Sequence, residues 1–247
     1  MPSMAQFICR YRKGDEVRWI SHLDLKRTLE RAMRRAALPL QLTEGHNPHP
    51  KLSFGPPLPL GATGDAELLT LRLHEAADPA AVKERLNREL PAGIEIVEAW
   101  ALPGYKKKET FGNLDVADYR ITVTGGLEGK GIADRVRKLL ESEELLVRRG
   151  GNRPEREVDL RPMILSLVVA ESGEDGIELQ ARLQTGSHGG ARPQEVVDLL
   201  GLGDERHSVR YHRTGLYASS AAARPRPGGV WRRWARSRSE PERSSSQ

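Results

Sequence analysis

The sequence predicts an α+β protein made of tandem ferredoxin-like (βαββαβ) halves with antiparallel sheets, followed by a disordered basic C-terminal tail. Three observations lead there. Stretches that alternate apolar and polar residues are interleaved with stretches of helical period. The order strand, helix, strand, strand, helix, strand is read once before Pro103 and again, less cleanly, after Ala117. From Ser219 the composition collapses to Ala, Arg, Pro, Gly and Ser, which cannot bury a core. The expected limits are 4–103 for the first domain, 104–117 for a linker, 118–218 for the second domain and 219–247 for the tail.

Gln6 to Lys13 alternates with the period of a half-buried strand, Gly14-Asp15 turns it, and Val17 to Ile20 is expected to continue it. Ser21, with Asp24 three positions on, starts a helix that runs to Leu38-Pro39. On that helix Leu25, Leu29, Ala32, Met33 and Ala36 fall on one side, and Arg27, Arg31, Arg34 and Arg35 on the other. Leu40 to Thr43 reads as a short strand and Glu67 to His74 as the next. Asp78-Pro79 caps a helix through Leu90, with the proline at the first helical position, where its missing N–H costs nothing. Gly93 to Trp100 closes the unit. In the second half, strands are expected at Asp118–Thr124, Leu145–Arg149, Ile164–Val169, Ile177–Thr185 and His207–Arg213, with helices at Gly131–Ser142 and from Pro193 to Leu200.

The single cysteine, Cys9, excludes a disulfide framework, a zinc finger and an iron–sulfur centre built from this chain alone. No apolar run approaches the roughly 20 residues of a membrane span and no signal peptide is evident, so a cytoplasmic protein is expected. The net charge of +5 is carried by the tail, where seven arginines face two glutamates. Only local patches can therefore argue for nucleic acid in the body.

One such patch runs from Trp19 to Gly61, where a basic helix leads into a proline-rich loop. Each proline holds the residue before it out of the helical region, so Asn47, His49 and Leu58 are fixed in extended or turn conformations. A stiff loop presents Asn47, His49, Lys51 and Ser53 at little further entropic cost, although a connector clamping two strands has the same composition. His22, His46 and His49, with Asp24 nearby, carry the groups that metal-independent RNA cleavage uses, with Lys51 or an arginine on the phosphate. As metal ligands, His22, Asp24, His46 and His49 match no strong spacing. Gly125 to Gly131 lacks the hydroxyl that follows the lysine of a phosphate-binding loop. In Val158-Asp159-Leu160-Arg161-Pro162, Asp159 either orients Arg161 or forms a strand-end ion pair with it. Trp231 and Trp234 among arginines could stack on bases, or belong to a plain disordered tail.

Trp19-Ile20-Ser21-His22-Leu23-Asp24-Leu25, Asn47-Pro48-His49-Pro50-Lys51-Leu52-Ser53-Phe54-Gly55 with Leu58-Pro59-Leu60-Gly61, and Val158-Asp159-Leu160-Arg161-Pro162 resemble the bacterial radical SAM-associated family of unknown function. The resemblance covers Gln6 to Tyr217, and His46 departs from it by standing where an aromatic is expected. In many members the module is fused to or encoded beside a radical SAM protein with a cobalamin-type domain, and it often neighbours ribonuclease E/G and ribosomal protein genes. The resemblance implies a companion of that enzyme, with no cofactor of its own because the CxxxCxxC triplet is absent. The leading expectation is an RNA- or ribosome-facing binding module that presents substrate to the enzyme. Its RNA contacts would come from Arg27, Arg31, Arg34, Arg35, Asn47, His49, Lys51, Ser53 and Arg161. The alternatives are an RNA-cleaving or RNA-modifying enzyme using His22 and His49, and a protein-interaction scaffold. Tandem ferredoxin-like halves are also found in CRISPR-type repeat-binding endoribonucleases, an analogy of fold only.

Overall fold

The computed structural model describes residues 5–102, 111–125, 131–150, 154–173, 176–186 and 189–218. The expected tail and the first half of the expected linker, 104–110, lie outside these residues. Strand β1 (Ala5–Lys13) is followed by helix α1 (His22–Arg35), β2 (Leu52–Phe54), β3 (Ala62–Leu73), α2 (Pro79–Glu89) and β4 (Ile94–Leu102). Then come β5 (Val116–Thr124), α3 (Ile132–Glu141), the hairpin β6 (Leu146–Arg149) and β7 (Arg156–Asp159), β8 (Ile164–Gly173), β9 (Gly176–Gln184), α4 (Pro193–Leu199) and β10 (Ser208–Tyr217).

Local sequence accounts for most of these elements. Ser21 is the N-cap of α1 and accepts from the Asp24 amide, and Asp78 does the same for α2 through the Ala80 amide. The inward stripe of α1, Leu25, Leu29, Ala32 and Met33, is buried as its helical spacing requires. It packs with Val82 and Leu86 of α2 on Phe7, Cys9, Leu69, Leu71, Leu73 and Ile96. A second core joins Ile132, Val136 and Leu139 of α3 and Val196 and Val197 of α4 to Ala117, Ile121, Val123, Leu179 and Leu183. Two expected strands are absent as such. Asp15–Val17 forms a 3-10 turn, and Leu40 and Leu42 make only single bridges, to Leu73 and Pro50.

The expectation of two separate halves, each with its own sheet, is overturned. Among the described residues the main sheet is continuous and eight-stranded, in the order β4-β1-β3-β10-β5-β9-β8, with β2 also paired to β3. β10, the last strand of the chain, enters beside β3 in parallel, Tyr211–Arg213 against Ala62–Gly64, and pairs with β5 antiparallel on its other side. The fold is a single mixed α+β sheet with strands from the whole chain interleaved, and the fold-level analogy to tandem ferredoxin-like proteins falls with the correction. The physical reason lies at the seam. Glu67 on β3 and Arg213 on β10 are both buried and paired, an arrangement that neither half could tolerate alone. Gly64 leaves room for the pair, because a Cβ there would stand 2.6 Å from a Glu67 carboxylate oxygen and 3.4 Å from the Arg213 carbonyl of the neighbouring strand.

Candidate functional site

Two buried cations hold the Trp19–Gly61 segment against the sheet. Lys13, at the end of β1, donates from Nζ to the carbonyls of Arg18 at 2.8 Å, Ala62 at 3.3 Å and Ile20 at 3.5 Å. Arg213 donates to both carboxylate oxygens of Glu67, to the Pro56 carbonyl at 2.8 Å, to the Pro57 carbonyl at 3.4 Å and to the Tyr119 hydroxyl at 3.5 Å. Proline carbonyls have no N–H of their own residue to balance them, so the guanidinium supplies donors where the loop has few. Burial pushes the Lys13 pKa down, with Glu67 opposing and Arg213 reinforcing that shift. Burial also works against the Arg213 charge, and Glu67 more than offsets it, so its pKa is raised. Tyr11 and Tyr119 beside the pair have raised pKa values, first from burial and also from the Glu67 charge.

On this support stands Trp19. The Gly61 amide donates to the Arg18 carbonyl at 3.0 Å, and Gly61 has a φ of +79°. A Cβ on Gly61 would lie 2.6 Å from the indole, so glycine is required there by both backbone and contact. Trp19 is 67% exposed, with the Arg18 guanidinium 5.1 Å from its ring centroid. Leu60 and Leu23 are also exposed, at 64% and 53%.

The candidate residues of α1 divide by use. Asp24 serves the cap, where its carboxylate accepts from the Ser21 hydroxyl at 2.7 Å, and it faces Arg27 at 3.5 Å. His22 packs edge-on against Phe54, ring centroids 5.1 Å apart, and burial with the nearby Lys26 charge lowers its pKa. Arg34 donates to the Pro48 carbonyl at 3.3 Å and Arg35 to the Glu89 carboxylate at 2.9 Å. Arg27 and Arg31 are exposed, and Arg31 has no polar partner among the described residues.

The loop is tied locally. The Thr43 amide donates to the His49 carbonyl at 2.8 Å, the His49 amide to the Thr43 hydroxyl at 3.0 Å and the Lys51 amide to the Gln41 carbonyl at 2.8 Å. His49 Nδ1 lies 3.6 Å from Glu30, a residue that is itself buried on α1. His46 and Asn47 are exposed, and Ser53 lies in β2 opposite Thr70. His22 and Glu30 are eight residues apart on one helix, about 12 Å along its axis. His22 and His49 thus stand against different neighbours, Phe54 and Glu30, and no contact joins the two rings. Among the described residues no group of three or more His, Cys, Asp or Glu side chains is placed to hold a metal ion.

Arg161 stands with the other half. It donates to the Leu140 carbonyl at the end of α3 at 2.9 Å and to the Ile164 carbonyl at 3.2 Å, while Asp159 accepts from the Arg161 and Leu145 amides. Away from these contacts, Thr63, His212 and Asp65 form a relay across the β3–β10 seam. Thr63 Oγ1 is 2.8 Å from His212 Nδ1, and His212 Nε2 is 3.0 Å from Asp65, which also accepts from Arg12 at 3.1 Å. Lys13, Glu67, Arg213 and this relay were not singled out by sequence. The signal was strand parity, since Lys13 shares a face with Phe7, Cys9 and Tyr11, and Glu67 with Leu69, Leu71 and Leu73.

A sequence profile of a family described as an uncharacterized protein conserved in bacteria (DUF2344) matches residues 6–193. The chain belongs to this family. The match contains the whole Trp19–Gly61 segment and the Val158–Pro162 motif but stops short of β10, and so of Arg213. A search of curated proteins finds no match. Among solved structures, a Cbf5-Nop10-Gar1 complex is similar at TM-score 0.45 and 11% identity, over 85% of this chain and 48% of that one. An H/ACA RNP bound to a substrate RNA containing 2'-deoxyuridine scores 0.42 at 9% identity, over 85% and 47%. An archaeal box H/ACA sRNP Nop10-Cbf5 complex scores 0.40 at 10% identity, over 84% and 46%. This chain thus spans about half the length of these three solved chains, and scores below 0.5 do not establish a shared fold. No helix among the described residues is long and apolar enough to cross a membrane.

Proposed function

We propose that the protein is a non-catalytic binding module that faces RNA through the Trp19–Gly61 segment and presents it to a separate radical SAM enzyme. The observation that carries the reading is charge held on a rigid support. The segment has six lysines and arginines against three acidic residues, in a body that is neutral without its tail. Lys13 and Arg213 fix that segment from below, and Arg27 and Arg31 face outward. Fixed, outward cations are what a phosphate backbone meets at least entropic cost. The resemblance of the three motifs to the radical SAM-associated family supports the choice of partner. The separation of His22 from His49 favours binding over the two-histidine cleavage reading.

The test is anisotropy of a labelled RNA oligonucleotide titrated with the full chain at several salt concentrations. Arg27→Glu combined with Arg31→Glu is expected to weaken binding by about tenfold or more and to reduce the salt slope by ~0.7 for each phosphate that is no longer neutralised. Comparing variant with parent in the same chain cancels any contribution from the basic tail. An unaltered slope would contradict the reading. Co-elution of the full chain with a radical SAM protein from the same host tests the second half of the proposal.

A further inference from the structure

We infer that Trp19 is a stacking shelf for one unpaired base, which makes the ligand of this segment single-stranded RNA rather than a duplex. The inference rests on the RNA-facing reading above and gives it a substrate class. Its starting point is an indole that is both exposed and immobilised. The carbonyls on either side of residue 19, those of Arg18 and Ile20, accept from the buried Lys13 ammonium. The floor under the ring is the Gly61 backbone, close enough that no side chain fits between them. The ring has no room to fold inward, and 67% of the residue stays in water. A large apolar surface kept exposed on a fixed support is a contact surface.

What would cover it follows from charge. Arg18 stands against the ring, and Lys26, Arg27 and Arg31 lie on the helix that starts three residues after Trp19. An aromatic face with a guanidinium against it and a basic helix following it in the chain matches a base attached to a phosphate backbone, the pairing used by proteins that bind single strands. Bases inside a duplex are already stacked and cannot reach a side chain standing on the protein surface.

The experiment uses the full chain, a labelled single-stranded RNA oligonucleotide of mixed sequence and the same sequence as a duplex. Trp19→Ala is expected to weaken single-strand binding by roughly tenfold, leaving the salt slope unchanged, while Trp19→Phe retains most of the affinity. The parent should prefer the single strand. If Trp19→Ala fails to fold, the Phe variant and the single-strand to duplex ratio carry the test. Equal binding of both RNA forms, or unchanged affinity in a folded Trp19→Ala, would overturn the shelf. If Arg27 and Arg31 still set the salt slope in that case, the RNA-facing reading survives without it. A parent chain that binds no RNA overturns both.

Discussion

The middle of helix α1 and the inner surroundings of α3 and α4 use arginine differently. On α1, Arg31 faces solvent and Arg27 meets only the exposed Asp24, whereas Arg34 and Arg35 at the helix end are tied to the Pro48 carbonyl and Glu89, and the buried cations beneath hold backbone in place. Around α3 and α4, the guanidiniums of Arg135, Arg149 and Arg161 turn inward. Arg161 donates to the Leu140 carbonyl, Arg135 to the Leu200 carbonyl at 3.2 Å, and Arg149 to both Glu195 oxygens and the Gly190 carbonyl. The difference is set by acceptors. Where a helix end or a half-buried carboxylate is within reach, arginine becomes part of the scaffold, and where neither is, it remains available to a ligand. Basic composition alone cannot separate these cases. On the proposed reading, the RNA-facing surface is the β1–β4 end, which β10 braces through Arg213.

The largest effect expected from breaking this arrangement is at the seam. Arg213→Met leaves the Glu67 carboxylate buried and unpaired and should cost about 3–5 kcal/mol, read as a lower urea midpoint. Adding Glu67→Leu to that variant should recover much of the loss, because the uncompensated charge is then gone. Lys13→Met comes next, at about 1–3 kcal/mol, since three carbonyls lose a buried donor. It should also speed amide hydrogen exchange in residues 18–21 more than in α3. The comparison is sharpest between Arg161→Ala and Arg31→Glu. The first should lower stability by about 1–2 kcal/mol and leave RNA affinity alone, while the second should leave stability within about 0.5 kcal/mol and weaken RNA binding.

The smallest effect is a pH dependence at the Thr63–His212–Asp65 relay. Burial tends to raise the Asp65 pKa, but His212 and Arg12 outweigh it and hold the carboxyl below its usual 3.8. A depressed folded pKa means stability that is present above the unfolded value and lost as pH falls through the folded one. Acid unfolding of Asp65→Asn should therefore show a shallower fall below about pH 4 than the parent, as read by circular dichroism.

Much of the local structure could be read from residues. Ser21 and Asp78 mark their helices because a side-chain acceptor before an apolar stripe meets an orphan amide, and the α1 stripe follows from helical spacing. The assembly of the sheet could not be read that way. The Ala62–Gly64 and Tyr211–Arg213 pairing joins segments about 150 residues apart, and alternation reports which face a residue occupies, not which strand lies beside it. The clue that remained was charge on apolar faces. Arg213 shares a face with Val209 and Tyr211, and Glu67 with Leu69 and Leu71, so each had to meet an opposite charge from elsewhere in the chain. The candidate site was legible as a segment, Trp19 to Gly61, because prolines and basic residues concentrate there. Its working parts were not, because the partners of Arg34, Arg35 and Arg161 are backbone carbonyls and a distant glutamate that no local pattern reveals.

The most direct measurement is ultraviolet cross-linking of single-stranded RNA to the full chain, with the modified peptides identified by mass spectrometry. Cross-links at Trp19 and in the peptides through Arg31 would place RNA on the β1–β4 end as described. Cross-links confined to residues 219–247 would mean that the folded body does not face RNA, and would contradict the central claim.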